Sequence, residues 1–466
     1  MDAVNDLLGL TADYATQFLG SLDERPVGTR ASIEELREAL GGSLPERGLD
    51  DVQVIGELIE AAEPGIMAMP SGRFFGFVIG GALPAAVAAD WLTSVWDQNA
   101  ALIGPTPSAG VVEEVVLDWL QELMQLPRGI SAGFVNGCQM AHVTALAAAR
   151  HRVLERAGWD LLRDGLQEAP RIRVVVGQER HVTIDRALRF LGIGTAQIES
   201  VSADEQGRMR VDLLPAALAA AEGPTIVCAQ LGNVNTGSCD DVAAIADAAE
   251  ETGAWLHVDG AFGLWAAASP RLRHLVAGVE RADSWATDAH KWLNVPYDSG
   301  IAFCADREAH RAAMSVQASY LEQVDPHAAR DPMDWNPEFS RRARGFPIYA
   351  AMRTLGRDGV VAMVERSCDH ARRFARLLGG QPDVEILNDV VLNQVLVRFG
   401  DDDERTRAIV AAVQEDGTCW LSGTVWQGKA AMRISVSNWR TSEDDVERSA
   451  AAILAAAAAT AGVVAS

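Results

Sequence analysis

ADSWATDAHKWLNV, residues 282–295, opens as a strand and ends as a turn. Ser284, Trp285, Ala286 and Thr287 suit a buried strand; Asp288, His290 and Lys291 then arrive together, ahead of Trp292 and Leu293. A lysine in so apolar a setting is costly, because burial disfavours the ammonium form. The same cost lowers its pKa, and a neutral amine can add to a carbonyl to form a Schiff base. Lys291 is therefore either a covalent anchor or a surface lysine whose stem snorkels along the fold.

Around this stretch, short apolar runs alternate with helical patterns. Residues 171–176, 225–230, 254–259, 284–287 and 300–304 read as strands, and 110–124, 183–191 and 241–252 as helices, with another helix opening after Gly137. That alternation predicts an α/β fold with a mostly parallel sheet covered on both faces. The first hundred residues read as helices at 31–40, 52–62 and 84–98 around the apolar, turn-rich PSGRFFGFVIGG, residues 70–81. Residues 321–345 carry three prolines and many charges, and a loop of that length inside an enzyme is usually functional. Helices at 347–355 and 360–378 follow, then an α+β texture: strands at 391–399 and 431–437, helices at 404–415 and 442–459. The expected division is a helical segment 1–105, a large domain 106–350 and a small C-terminal domain 351–466.

The 466 residues carry a formal charge of −24, which excludes nucleic acid as a partner, since that needs a basic footprint. Cys138, Cys228, Cys239, Cys304, Cys368 and Cys419 form no CxxC pair and no zinc spacing, so reduced thiols in the cytoplasm are expected and no metal is called for. The acidic N-terminus lacks a basic n-region, and the alanine-rich tail reads as a fraying helix; neither predicts a membrane span.

Open parallel sheets bind ligands beyond the carboxyl ends of their strands. Asp259 closes one strand before Gly260, Lys291 follows the next, and His181 follows the strand at 171–176. NGCQM, residues 136–140, opens a helix whose free N–H groups form an anion site. Taken singly, Asp259 reads equally as a strand-ending Asx turn, His181 as a local cap and NGCQM as an ordinary helix start. Together they suit pyridoxal 5′-phosphate (PLP), which needs a lysine for its aldehyde, an acid for its pyridine nitrogen and a phosphate cradle. His181 is the candidate to stack on the ring.

HVDGAFG at 257–263 followed by DAHKW at 288–292 resembles the PLP-dependent group II amino-acid decarboxylases, which include the aromatic-L-amino-acid, glutamate and cysteine-sulfinate enzymes. PSGRFFGFVIGG resembles their substrate-side loop, TPSAGVVEEVVLDWL (106–120) a conserved-pattern helix, and GCQMAHVTALAAAR (137–150) their phosphate-binding helix. RHVTIDRALRFLGIG (180–194) resembles the segment bearing the stacking histidine, and AMRISVSNWRT (431–441) a strand of the small domain. The resemblance implies the aspartate-aminotransferase-like PLP fold of type I: a large domain with a seven-stranded mixed, mostly parallel sheet, a small α+β C-terminal domain, and N-terminal helices that wrap a partner in a homodimer with shared active sites. It implies Lys291 as the Schiff-base lysine, Asp259 as the pyridinium partner, His181 on one ring face and Ala261 on the other. Gly137, Cys138 and Gln139 would hold phosphate, His290 would serve there or beside the lysine, and Asn235 in LGNVNTG (231–237) would touch the cofactor. Arg433 could bind a substrate carboxylate or form a structural ion pair. Phe74, Phe75, Phe77 and Trp96 would suit an aromatic side chain or belong to the core.

Two departures stand out. The phosphate motif reads GCQ where GGT or GSA is usual, and DPMDW (331–335) places Pro332 where the aromatic branch carries a proton-donating tyrosine. Tyr320, His327 or a water would have to stand in, and the loop 321–345 is expected to close over the substrate. The expected activity is decarboxylation of an L-amino acid, an aromatic one favoured, to amine and CO2. The alternatives are an aldehyde synthase, lyase or aminotransferase-type reaction, or a PLP-binding protein without turnover, against which the intact Lys291, Asp259 and His181 speak.

Overall fold

The computed structural model describes residues 2–219, 222–316 and 330–461. The chain forms two compact units, one from residues 82–372 and 388–395, the other from residues 1–81, 373–387 and 396–466.

The larger unit is built on seven strands: β1 (Ser131–Val135), β2 (Arg173–Gly177), β3 (Ile198–Val201), β4 (Thr225–Gln230), β5 (Trp255–Asp259), β6 (Ser284–Asp288) and β7 (Gly300–Cys304). Their spatial order is β1-β7-β6-β5-β4-β2-β3. The pairs β3–β2, β2–β4, β4–β5 and β5–β6 are parallel, while β7 is antiparallel to both β6 and β1. Six strands therefore share one direction and only β7 opposes them. Every residue of β1, β4, β5, β6 and β7 is buried, as a sheet covered on both faces requires. The strands expected near 171–176, 225–230, 254–259, 284–287 and 300–304 are present. The two edge strands β1 and β3 were not read from the sequence: β1, SAGFV, has small residues in place of a β-branched run, and β3 is four residues long and only partly buried.

The helix Cys138–Arg156 lies on this sheet. Its run of small residues, Ala145 and Ala147–Ala149, is buried; Leu146 and three of these alanines join Val174, Val176, Ile226 and Trp255 in one apolar cluster. Alanine favours the helix and leaves little side chain to hold it off the strands. Trp255, Trp265, Trp285 and Trp292 are fully buried. The first three satisfy their indole N–H groups on Ser284 Oγ, Asp288 O and Val279 O.

Of the loop 321–345, residues 330–345 are described, and they are anchored. Pro332–Trp335 is a buried 3-10 turn; Met333 N–H donates to Ala101 O, and Asp331 Oδ1 accepts from Ile103 N. Trp335 packs edge-on against His310 and lies under the guanidinium of Arg330. Expected closure of the whole loop is corrected for this part: the anchored segment belongs to the packed sheet domain. Tyr320 and His327 lie outside the described residues. The following helix, Gly345–Gly379, is interrupted at Gly356 (φ +59°), which matches the two helices read from the sequence.

The smaller unit holds the strands β8 (Val384–Ile386), β9 (Gln394–Phe399), β10 (Ser422–Trp426) and β11 (Lys429–Ser435), in the order β10-β11-β9-β8. Gln427 and Gly428, both at positive φ, close the β10–β11 hairpin. Arg73 stitches this unit together: its buried guanidinium donates to the carbonyls of Leu22, Asp23, Arg25 and Thr418. The ring of Phe74 stacks on Trp420 at 5.3 Å. Among the described residues, no helix is long and apolar enough to cross a membrane.

Candidate active site

β5 and β6 run in register, with Asp259 beside Ala286, so their carboxyl ends deliver Asp259 and Asp288 to the same rim. Asp288 N–H donates to Ala261 O at 2.9 Å, and the chain then turns through His290 and Lys291. Lys291 Nζ lies 3.0 Å from Asp288 Oδ2, with its side chain 21% exposed. Asp288 Oδ1 accepts the backbone N–H of Cys138, the first residue of the helix Cys138–Arg156, at 2.6 Å. His290 Nδ1 accepts from Ser299 N–H at 3.1 Å, which leaves its proton on Nε2, 3.5 Å from the same Oδ1. Its ring stacks on Tyr297 at 4.1 Å.

Burial is the largest influence on the Lys291 pKa and pulls it down, but the charge of Asp288, then Cys138, the Asp288 hydrogen bond and Asp259 together outweigh it, and the net shift is upward. Burial is thus not the only influence on this lysine: the Asp288 carboxylate paired with it favours the charged form. This turn is tight. A side chain on Gly137 would approach His290 Cε1 to 3.2 Å, and a Cβ on Gly300 would stand 2.5 Å from Gly137 Cα. Only glycine at both positions lets β7 start against the turn that opens the helix.

Asp259 is the other pole. Its Oδ1 accepts Ala261 N–H at 3.1 Å, and its Oδ2 lies 3.5 Å from His142 Nε2. Behind it runs a buried chain: His142 Nδ1 is 3.0 Å from His257 Nε2, His257 Nδ1 is 2.9 Å from Ser284 Oγ, and Trp255 Nε1 donates to that oxygen at 2.9 Å. The indole can only donate and the carboxylate can only accept. With a proton on Nε2 of each imidazole, every hydrogen in the chain points toward Asp259. Burial opposes ionisation of Asp259, but His142, then His181 and Lys291, outweigh it and hold its pKa below the usual carboxylate range. His257 is pushed down to about 3 by burial and then by His142, so that ring is neutral.

His181 caps the helix Val182–Phe190, its Nδ1 2.7 Å from Thr183 Oγ1, and its own N–H donates to Gln230 Oε1 at 3.0 Å. Gln139 Nε2 donates to Thr183 O at 3.2 Å, which ties the anion helix to the His181 segment. Asn235 lies in the turn after β4, where its N–H donates to Asn233 Oδ1 at 2.9 Å. Ala261 packs against Cys138 and Ala286. The rim of the larger unit therefore carries Lys291, Asp259, His181, Gly137, Cys138, Gln139, Asn235, Ala261 and His290. Phe74, Phe77 and Arg433 belong to the smaller unit, where Phe77 is at 5.8 Å from the Trp420 ring and Arg433 NH2 donates to Ser422 Oγ at 3.4 Å.

Sequence reasoning missed His142, His257, Asp288 and Ser299. A signal existed for two of them: His257 and Asp259 are two apart on one strand and share a face, and His142 is one helical turn past Cys138. Cys138 Sγ, His142 and Asp259 bring ligand-type atoms within 4.8 Å of one another. The Cys138 thiol is held protonated, its pKa raised by burial and then by Asp288 and Asp259.

The residues fit PLP on internal grounds. A buried, ionised carboxylate calls for a cationic partner such as a protonated pyridine nitrogen. Ser299 Oγ, whose hydroxyl can donate to a phosphate oxygen, is buried with no hydrogen-bond partner among the described residues.

A seven-stranded sheet with one reversed strand, an acid ending one strand and a lysine following the next defines the aspartate-aminotransferase-like, type I PLP fold. A model of the pyridoxal-dependent decarboxylase conserved domain matches residues 34–399, and the chain belongs to this family. Tryptophan decarboxylase 1 of Oryza sativa subsp. japonica is 28% identical, over 94% of this chain and 90% of its own length. Phenylacetaldehyde synthase of Arabidopsis thaliana is 25% identical, over 94% and 92%. The crystal structure of Oryza sativa TDC with PLP and tryptamine matches with a TM-score of 0.92 at 26% identity, covering 98% of both chains. The protein is accordingly a PLP-dependent carboxy-lyase that acts on an amino acid, with the cofactor held covalently by a lysine.

Proposed function

We propose that Lys291 is that lysine, that Asp259 pairs with the ring nitrogen, and that the substrate is an aromatic L-amino acid converted to its amine. The observation that carries this reading is the ionised Asp259 at the end of β5, backed by the His142–His257–Ser284 chain and facing the Lys291 turn. PLP bound there supplies an electron-poor ring that accepts the electrons of the breaking bond between Cα and the carboxylate. Asp259 keeps a proton on the ring nitrogen, His181 and Ala261 hold the two ring faces, and Gly137, Cys138, Gln139, His290 and Asn235 hold the phosphate end. Arg433 orients the substrate carboxylate, and Phe74 and Phe77 receive an aromatic side chain. The tryptophan decarboxylase relative supports that preference, and the charge of −24 speaks against an acidic substrate.

Pro332 has no proton to give, and its carbonyl accepts from Asn336 Nδ2 at 2.7 Å within a buried turn. The proton for Cα must come from another group, and this supports a second reading, oxidative conversion to an aldehyde; a relative of this chain is named for synthesis of an aldehyde. The two are separated by quantifying products from a panel of L-amino acids. Amine and CO2 in equal amounts are expected, with kcat/KM for tryptophan, tyrosine or phenylalanine at least about ten-fold above that for glutamate. Aldehyde, ammonia and peroxide as main products would establish the second reading.

We further read residues 1–105 as a dimerisation segment, 106–350 as the cofactor domain and 351–466 as the small domain, in a cytoplasmic homodimer with shared active sites. Val4, Leu8, Leu44, Val54 and Leu58 are more than 40% exposed in the first segment, as are Trp91, Leu92 and Val95, and such apolar surface needs a partner. The six cysteines are free and buried, in keeping with a reducing compartment. Light scattering on the purified protein is expected to give twice the chain mass; a fully active monomer at assay concentration would remove the dimer.

A further inference from the structure

Asp288 stands where an anion belongs. Its carboxylate is 2% exposed at the end of β6. Oδ1 takes the N–H of Cys138 at 2.6 Å and faces His290 Nε2 at 3.5 Å, while Oδ2 lies 3.0 Å from Lys291 Nζ. A helix N-terminal amide and an imidazole N–H are donors a phosphate would use, while Lys291 is committed to the cofactor aldehyde under the proposed reading. Gly137 keeps the floor of this cradle free of side chain, and a Cβ there would lie 3.6 Å from Asp288 Oδ1 itself. Under the reading that seats the phosphate of PLP at Gly137, Cys138 and Gln139, on which this inference rests, two anions claim one set of donors.

We infer that Asp288 is a positioning residue that competes with the cofactor phosphate for the Cys138 amide and must yield it when phosphate binds. The carboxylate satisfies a helix-end amide and pairs with the Lys291 side chain. When the phosphate enters, it meets a like charge at short range, which opposes binding even at protein-like screening. Ser299 Oγ, buried without a partner among the described residues, is a donor that Asp288 leaves unused. The hydroxyl of Ser299 can turn to donate to a phosphate oxygen.

The test uses the full-length chain stripped of cofactor and two ligands followed by calorimetry. One is 4-deoxypyridoxine 5′-phosphate, whose methyl group in place of the aldehyde prevents any bond to Lys291. The other is the same ring without phosphate. Asp288→Asn removes the charge yet keeps an oxygen that can accept the Cys138 amide. The variant is expected to bind the phosphorylated ring at least about ten-fold more tightly, and the phosphate-free ring within two-fold of the natural chain. A merely structural role for Asp288 could only weaken binding. Equal or weaker affinity for the phosphorylated ring in a folded variant overturns the inference. If the natural chain itself shows no preference for the phosphorylated ring, the phosphate seat is elsewhere and both the seat and the inference fall. Should Asp288→Asn lose its thermal transition, Asp288→Ser, whose hydroxyl also accepts an amide, is judged by the same two titrations.

Discussion

Lys291→Ala is expected to lower kcat by roughly 10³-fold or more, the scale on which covalent and proton-transfer groups act. The chain has only two lysines, Lys291 and Lys429. Lys429 is exposed beside the β10–β11 turn, whereas Lys291 is paired at 3.0 Å with Asp288 on the cofactor rim. Borohydride reduction of the PLP-loaded natural chain, followed by peptide mass spectrometry, should therefore place the pyridoxyl group on the peptide containing residue 291. The alanine variant should carry none and should lose the visible absorption of the bound cofactor. The fold should persist, because Asp288 keeps the Cys138 amide and His290. A pyridoxyl group found on Lys429, or turnover near that of the natural chain, would remove Lys291 from its role.

Asp259→Asn should retain PLP and lose turnover by roughly 10²–10³-fold, comparable to deleting one preorganised electrostatic contact in an active site. An amide at this position can still present its oxygen to His142 Nε2 and to Ala261 N–H, so the local bonds survive. What disappears is the negative charge that keeps a proton on the ring nitrogen. Cofactor content by absorbance and kcat in a product assay separate the two effects. Full occupancy with unchanged kcat would mean that another group partners the ring; lost occupancy would mean that Asp259 chiefly builds the pocket.

Much of this site was legible in one dimension because parallel sheets collect their strand ends along one rim. Once 254–259 and 284–287 are read as neighbouring strands, Asp259 and Lys291 must fall at the same edge, and a helix opening at Gly137 must aim its amides there. Asp288 was noted only as a neighbour of His290 and Lys291 just past the strand, since neither its pairing with Cys138 N–H nor its pairing with Lys291 follows from spacing. His142 and His257 stayed hidden because their partnership depends on which face of a helix meets which face of a strand. The segment 330–345 misled for a different reason: prolines and charges have no period, so anchorage by Ala101, Ile103 and His310 leaves no trace in the pattern. Likewise the edge strand β3, IESV, is too short and too polar to register as a strand.

The row of groups behind Asp259 runs one way. Trp255 gives its hydrogen to Ser284 Oγ, Ser284 can pass its own to His257 Nδ1, and a proton on His257 Nε2 faces His142 Nδ1. Each member spends its hydrogen on the next, so Ser284→Ala would leave both the Trp255 N–H and His257 Nδ1 without this oxygen. On the reading that Asp259 partners the ring nitrogen, the setting of that carboxylate reaches back to side chains of β5, β6 and the helix Cys138–Arg156 that are buried behind the rim.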